Sequence, residues 1–296
     1  MYNMDKLYEA VEKKGHVCIG LDTAADYIPA AELKKASSAA EAVLAFNTAL
    51  VNATSDLCAC YKVQIAYYEE MGLAGLKTYS ETLRYIKEKK CLVIADIKRG
   101  DIADTASRYA RAHFEGDFEA DFVTLSPYMG MDSIEPWIEF AQKKGKGAFV
   151  LMRTSNRGMK DFEYLEIKNT SKKLYDAVGD RMQEMAASHE GKYGYGAFGV
   201  VVGCTEREEA AAIREQRNNL FFLIPGYGAQ GGAADDAALL LRESNGGVVN
   251  ASRSILKAWS KEAPAGADND FAAEAARKAA VEMRDAIRIS AKKGSL

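Results

Sequence analysis

The sequence CLVIADIKRGDI, residues 91–102, places charged residues directly behind an apolar run. The five apolar residues before Asp96 are typical of a parallel strand that is buried on both faces. Because side chains alternate along a strand, Asp96 and Lys98 are predicted to share the face of Ile94, with Val93 on the opposite face. The stretch therefore predicts a strand whose carboxyl end holds a carboxylate and an ammonium side by side.

A second carboxylate, Asp101, follows Gly100 near the predicted start of a helix through Ala106 and Ala110. We expect it to come close to the same lysine, Lys98. Opposite charges at a strand end occur both in structural salt bridges and in functional sites. These twelve residues alone leave both interpretations open.

Strand-like and helix-like segments alternate along the whole chain. Strand-like runs cover residues 17–22, 58–65, 91–98, 122–126, 147–154, 197–203, 220–225 and 247–251. Amphipathic helical patterns cover about 39–55, 69–89, 105–114, 133–144, 172–188, 206–216, 235–242 and 271–291. Eight β-α units predict an α/β fold, the closed (β/α)8 TIM barrel. A doubly wound sheet is the alternative, but no G-x-G-x-x-G motif follows the first strand.

Domain organisation follows from chain length. A (β/α)8 barrel takes ~250 residues, so the 296 residues here predict one barrel domain, 1–296. The surplus is assigned to an N-terminal arm and to loops around 156–169 and 263–270, and active-site loops are predicted at 156–170 and 226–234.

Composition argues against several classes of protein. A net charge of −3 and a pI of about 5.8 provide no overall positive field for nucleic acid or an anionic membrane. The short basic run at Lys87, Lys89 and Lys90 is typical of a solvated helix end. No stretch approaches the roughly 20 apolar residues of a membrane span. Five cysteines, mostly within apolar runs, suit reduced core thiols, and we expect a cytoplasmic protein.

In a parallel barrel, reactive groups lie at the carboxyl ends of the strands. The ends of the first, second, third and fifth predicted strands supply Asp22, Lys62, Gln64, Asp96, Lys98, Thr154, Ser155 and Asn156. The charges from the first three strands converge on one place. The hydroxyls and amide of the fifth suit hydrogen bonding to a planar polar heterocycle or a carboxylate.

Two loops predict a phosphate site. The seventh strand leads into PGYGAQGG, residues 225–232, and the eighth into NASRS, residues 250–254. The loops after strands seven and eight are the usual phosphate site of such barrels, and Arg253 could bind the anion through a bidentate fork. The glycine-rich loop could fold over the ligand with Gln230 as its contact. An ordinary turn beside a solvated arginine is the alternative.

These motifs resemble those of the orotidine 5′-monophosphate decarboxylases. The shared features are Leu21-Asp22, Lys62, the run DIKRGDIADT at 96–105, RTSN at 153–156, PG with GAQ between 225 and 230, and NASR at 250–253. The resemblance spans all eight units, and its motifs stand in the family's order.

The resemblance implies decarboxylation of orotidine 5′-monophosphate to uridine 5′-monophosphate, with no metal or organic cofactor. Loss of carbon dioxide leaves a vinyl carbanion, which Lys98 is expected to stabilise and protonate. The implied catalytic residues are Lys62, Asp96, Lys98 and Asp101. The implied substrate-binding residues are Asp22, Gln64, Ile102, Thr105, Thr154, Ser155, Pro225, Gln230, Ser252 and Arg253. In the implied homodimer, Asp101, Ile102 and Thr105 reach the partner's site.

Three other functions remain open from the sequence. The first is a magnesium-dependent sugar-phosphate decarboxylase or aldolase of the same barrel superfamily, which Lys62 argues against because a carboxylate ligand is expected there. The second is a catalytically inert nucleotide-binding or scaffold protein, and the third is a nucleic-acid binder.

Overall fold

The computed structural model describes residues 1–228, 233–261 and 263–293. Within these ranges eight parallel strands pair in chain order, and β8 pairs with β1 to close a barrel. The strands are β1 Val17–Gly20, β2 Cys60–Gln64, β3 Leu92–Arg99, β4 Phe122–Leu125, β5 Gly147–Arg153, β6 Phe198–Val202, β7 Phe222–Ile224 and β8 Gly247–Ala251. The predicted fold class is confirmed. Six strands are shorter than the predicted runs by one to three residues, β3 begins and ends one residue later than predicted, and β8 has the predicted bounds.

Helices surround the barrel in the described part of the chain. They are α1 Asn3–Lys14, α2 Ala30–Lys35, α3 Ala39–Thr54, α4 Ala66–Glu69, α5 Gly72–Glu88, α6 Ala103–Phe114, α7 Glu135–Lys144, α8 Met159–Phe162, α9 Leu174–Ser188, α10 Arg207–Gln216, α11 Ala234–Ala238, α12 Arg253–Leu256 and α13 Asn269–Lys293. The predicted helix at 235–242 is shorter in the structure, and α1 was not predicted.

The main core lies between the outer faces of the strands and the helices. Val93, Ala95 and Ile97 of β3 point into it, whereas Ile94 points into the barrel. The alternation predicted for residues 92–97 is therefore confirmed. Beyond this point β3 becomes irregular, as described for the site below.

Helix α1 closes the amino-terminal end of the barrel. Met4, Leu7 and Val11 form one helical face and pack against the inner side chains of the strands, including Phe122 and Phe149. Each of the three α1 side chains is at least 97% buried, which contributes about 1.5–3 kcal/mol apiece. With this end covered, the carboxyl ends of the strands form the accessible mouth of the barrel.

All five cysteines are free and buried. No helix in the described ranges combines the length and the apolar character that crossing a membrane requires.

Candidate active site

A cavity of about 420 Å³ opens at the carboxyl ends of the strands. It is lined by these predicted site residues: Asp22, Lys62, Gln64, Asp96, Lys98, Thr154, Ser155, Pro225, Ser252 and Arg253. Side chains from β1, β2, β3, β5, β7 and β8 and the loops behind them therefore meet at one place. Gln230, which was also predicted to contact the ligand, lies outside the described residues.

A chain of alternating charges occupies the floor of the cavity. Lys62 Nζ lies 2.9 Å from Asp22 Oδ1 and 2.9 Å from Asp96 Oδ2, and Lys98 Nζ lies 2.7 Å from Asp96 Oδ1. The side chains of Lys62 and Asp96 are each 7% exposed, whereas that of Lys98 is 47% exposed. Lys98 is thus the cation of this array that a ligand can reach.

Strand register brings these groups together. Gly20 is paired with Lys62, and Gln64 is paired with Asp96, so the ends of β1, β2 and β3 lie side by side. Gly20 also makes room for Ser252, because an added Cβ would lie 2.0 Å from the serine hydroxyl oxygen. That hydroxyl donates to Asp22 Oδ2 at 2.9 Å and so fixes the first carboxylate of the array.

Burial and charge pairing act in opposite directions on the two buried groups. Burial lowers the pKa of Lys62, but Asp22 and Asp96 together hold that pKa above its ordinary value. Burial raises the pKa of Asp96, but Lys62 and Lys98 hold it well below its usual range. Lys62 is therefore a cation and Asp96 an anion across the physiological pH range.

Asp96 has four hydrogen-bond donors. Oδ1 accepts from Lys98 and from the Thr124 hydroxyl, both at 2.7 Å, and Oδ2 accepts from Lys62 at 2.9 Å and Gln64 at 3.0 Å. These donors match the roughly four lone-pair sites of a carboxylate. Thr124 was missed from the sequence because it stands inside the apolar run of β4.

Lys98 reaches Asp96 through an irregular backbone rather than through simple strand alternation. The pairing of β3 with β4 shifts between Ala95 and Arg99, and Lys98 has a φ of +44°. That region is uncommon for a residue with a side chain. The predicted proximity of Asp96 and Lys98 is observed, but the bulge that produces it was not predicted.

Apolar and aromatic side chains, which the sequence motifs do not include, complete the cavity wall. They are Leu151, Val201, Leu223, Tyr27, Tyr67 and Tyr227. The first three are inward-facing positions near the ends of β5, β6 and β7, a signal that strand alternation could have provided. A ligand that fills this cavity thus meets charge on one side and apolar surface on another.

The loop after β5 is held in place by its own side chains. The Thr154 N–H donates to Glu163 at 2.8 Å, and the Thr154 hydroxyl lies 2.7 Å from both Glu163 and Asn156. Helix α8, Met159–Phe162, lies within the predicted loop 156–170. Arg153 of the RTSN motif points away from the cavity, is fully buried and donates to the Gly203 carbonyl.

The far end of the cavity has the features of an anion site. Gly226 and Gly228 have φ values of +104° and +71°, which glycine adopts readily and which let the backbone turn tightly there. Arg253 stands at the start of α12, is exposed and lines the cavity. Its guanidinium forms no ion pair with any carboxylate in the described ranges. A basic group thus faces the cavity without a counter-ion from the described residues of the chain.

Asp101, Ile102 and Thr105 do not line this cavity. Asp101 accepts a hydrogen bond from the Ile102 N–H at 2.9 Å and makes no ion pair, with Lys98 or with any other group that the structure describes. Ile102 and Thr105 are exposed on the rim. The expected approach of Asp101 to Lys98 is thus not made within the chain.

Comparison with known proteins gives consistent results. The model of the orotidine 5′-phosphate decarboxylase / HUMPS family matches residues 15–267. An orotidine 5′-phosphate decarboxylase from Clostridium perfringens strain SM101 is 55% identical over 284 residues, covering 96% of this chain and 97% of that protein.

Two solved structures are similar along nearly the whole chain. A putative orotidine 5′-phosphate decarboxylase from Streptomyces avermitilis has a TM-score of 0.80 at 28% identity, covering 97% of this chain and 95% of the other. The UMP synthase of Leishmania donovani has a TM-score of 0.76 at 33% identity. This chain covers 57% of that longer protein, and 98% of this chain is matched.

Proposed function

This chain belongs to the orotidine 5′-phosphate decarboxylase / HUMPS family, and we propose that it decarboxylates orotidine 5′-monophosphate to uridine 5′-monophosphate. The observation that carries this proposal is the charge array, in which Asp96 lies between Lys62 and Lys98 at the mouth of the barrel. The array provides a fixed cation. The reaction requires one, because decarboxylation forms a carbanion with no adjacent carbonyl to delocalise the negative charge.

The position of Lys62 favours this reaction over the sugar-phosphate chemistry of the same superfamily. A magnesium-dependent enzyme would hold its ion on acidic strand ends. Here the Lys62 ammonium lies 2.9 Å from the carboxylates of both Asp22 and Asp96. A protein cation thus takes the position between the two carboxylates, and the proposed reaction needs no metal or organic cofactor.

In the proposed mechanism Lys98 acts on the reacting carbon. When the bond to the substrate carboxylate breaks, carbon dioxide leaves and the electron pair stays on the ring carbon. The Lys98 ammonium stabilises that pair and then transfers a proton to it, which gives the C–H bond of the product. Asp96 holds the ammonium in position at 2.7 Å, and Lys62 in turn holds Asp96.

The remaining groups are proposed to orient the substrate. Thr154 and Ser155 face the pyrimidine ring, while Asp22 and Gln64 face the ribose. Arg253, with the backbone of the loop after β7, binds the phosphate. Pro225, Ser252 and Gln230 complete the proposed binding set. Binding energy from the phosphate can then be used to exclude water from the reacting centre.

We further propose a homodimer, which is supported by exposed apolar side chains in the segments that follow adjacent strands of the barrel. Leu73, Ile102, Tyr128 and Met129 are 86%, 43%, 83% and 48% exposed. They follow β2, β3 and β4 and thus lie on one side of the mouth. Several large exposed apolar side chains on one side of a molecule are typical of protein interfaces. A two-fold contact there would bring Asp101, Ile102 and Thr105 towards the partner's cavity.

Turnover is the direct test of the proposed function. Purified protein should convert orotidine 5′-monophosphate to uridine 5′-monophosphate and carbon dioxide. The change in ultraviolet absorbance measures this conversion. Exhaustive chelation should leave the rate unchanged. Activity that disappears with a chelator and returns with magnesium would instead favour the sugar-phosphate alternative, and wild-type protein without turnover would support the inert binding protein.

Subunit mixing tests the shared site. In a heterodimer of Lys98→Ala with Asp101→Ala chains, one site has both defects and the other has neither. Random exchange makes half of the dimers mixed and half of their sites intact, so an equimolar mixture should regain roughly a quarter of wild-type activity. Asp104→Ala, which changes a neighbouring exposed carboxylate, should stay active on its own. No recovery after demonstrated exchange would place Asp101 in its own chain's site.

We also propose a cytoplasmic location, because five free thiols suit a reducing compartment. Cell fractionation with an antibody to the chain would test it.

A further inference from the structure

The Thr124 hydroxyl connects β4 to the two most important groups of the array. Thr124 is 1% exposed, and its Oγ1 takes part in three hydrogen bonds. It lies 2.7 Å from Asp96 Oδ1, and the backbone N–H groups of Ile97 and Lys98 both donate to it at 3.0 Å. A hydroxyl has one proton and two lone pairs. Since the two N–H groups fill the lone pairs, the proton must go to Asp96.

The same hydroxyl supports the irregular backbone that aims Lys98. Ala95 is paired with Val123 and Arg99 with Leu125, so three residues of β3 stand opposite Thr124 alone. Within this bulge Lys98 has a φ of +44°. Residues in that region persist only where their surroundings hold them there. Thr124 satisfies two backbone N–H groups that the regular strand pairing leaves without an acceptor.

We infer that Thr124 is a positioning residue for the decarboxylation, a role that rests on the proposed function. Its hydroxyl fixes both the orientation of the Asp96 carboxylate and the backbone turn that directs the Lys98 ammonium. Valine has nearly the same shape but no hydroxyl. In Thr124→Val the N–H groups of Ile97 and Lys98 lose an acceptor, Asp96 Oδ1 loses one of its two donors, and the bulge loses the contact that holds Lys98.

Loss of the Thr124 hydroxyl should therefore lower kcat much more than it changes KM. A displacement of about 1 Å at the reacting group costs on the order of 100-fold in rate. We expect kcat of Thr124→Val to fall by about that factor, because Lys98 is displaced. KM should stay within a few-fold of wild type, because the phosphate and base contacts lie on other strands.

The experiment compares four variants with wild type: Thr124→Val, Thr124→Ser, Thr124→Cys and Thr78→Val. Serine keeps the hydroxyl, and cysteine replaces its oxygen by sulfur, so these two separate hydrogen bonding from packing even if the valine variant fails to fold. Thr78 is the matched control, because it is 3% exposed and donates to the Ala40 carbonyl at 3.0 Å, away from the cavity. We expect kcat near wild type for Thr124→Ser and Thr78→Val, and a large loss for Thr124→Cys and Thr124→Val.

The inference is overturned if Thr124→Cys and Thr124→Ser have the same kcat, or if Thr78→Val loses as much kcat as Thr124→Val. Wild-type protein that fails to turn over orotidine 5′-monophosphate would count against the proposed function instead. Crystal structures of wild type and Thr124→Cys then test, without an activity measurement, whether Thr124 positions Lys98 and Asp96. An unchanged φ at Lys98 and an unchanged contact between Lys98 and Asp96 in the variant would refute it.

Discussion

Replacement of Lys62 by methionine tests the array at its most buried point. At 2.9 Å and an effective dielectric near 20, each of its two ion pairs is worth about 6 kcal/mol. Desolvation of the buried ions offsets several kcal/mol of this attraction per ion. Removal of one partner of a buried pair typically costs about 3–5 kcal/mol of unfolding free energy. We therefore expect Lys62→Met to lose about 3–5 kcal/mol of unfolding free energy, together with its turnover.

Lys146→Met is a matched control for this experiment. Lys146 is also buried, and its ammonium lies 2.8 Å from Glu119 Oε1 and 2.8 Å from the Ala120 carbonyl, away from the cavity. Both variants remove a buried, paired ammonium from the barrel. Urea unfolding at pH 7 should therefore show a loss of stability in both, whereas only Lys62→Met should lose kcat in the decarboxylation assay.

The loss of unfolding free energy in Lys62→Met should also depend on pH. The pKa of Asp96 is held below its ordinary value, so the pairing of Asp96 stabilises the fold above about pH 4 and loses this effect as the pH falls further. In the variant Asp96 lacks one of its two cations and takes up a proton at higher pH. The stability difference should thus be largest near neutral pH and shrink in acid. A loss below about 1 kcal/mol at pH 7, or a difference that grows in acid, would refute the reasoning.

Three further outcomes are expected. Lys98→Ala should abolish turnover. Its unfolding free energy should change by less than about 1 kcal/mol, because the Lys98 side chain is half exposed. Substantial residual turnover would show that Lys98 does not have the proposed role. Arg253→Ala should weaken binding of the 5′-phosphate substrate by at least roughly tenfold and barely affect a substrate without phosphate, as measured by KM; equal losses for both would contradict the phosphate assignment. Gly20→Ala should lower kcat, because its Cβ would displace the Ser252 hydroxyl from Asp22, and full activity in kinetic assays would count against that contact.

The barrel was predictable because its signals are local. Each strand is an apolar run that ends in a turn or a polar residue, and eight such runs alternate with helical patterns. Helix α1 was missed because its charged residues obscured the apolar face at Met4, Leu7 and Val11, a spacing that does predict a helix.

The site was predictable where a strand ends in a charge, as at Lys62 and Asp96. It was not predictable where the chemistry depends on a neighbouring strand. Thr124 looks like one more residue of a buried strand, and only the register of β4 against β3 places its hydroxyl below Lys98. A bulge arises from pairing between strands, so a single stretch of sequence does not specify it.

The structure also limits how Asp96 can contribute to the rate. Repulsion between this carboxylate and a substrate carboxylate about 4 Å away would be worth about 4 kcal/mol at an effective dielectric near 20, whereas the largest enzymatic accelerations need roughly 20 kcal/mol. Asp96 also has an ammonium 2.9 Å away on one oxygen and another 2.7 Å away on the other, which offset its charge. Ground-state repulsion is therefore the smaller effect. The larger one is the fixed ammonium of Lys98, which Asp96 holds in place before the substrate arrives, so no reorganisation is needed when negative charge develops on the ring.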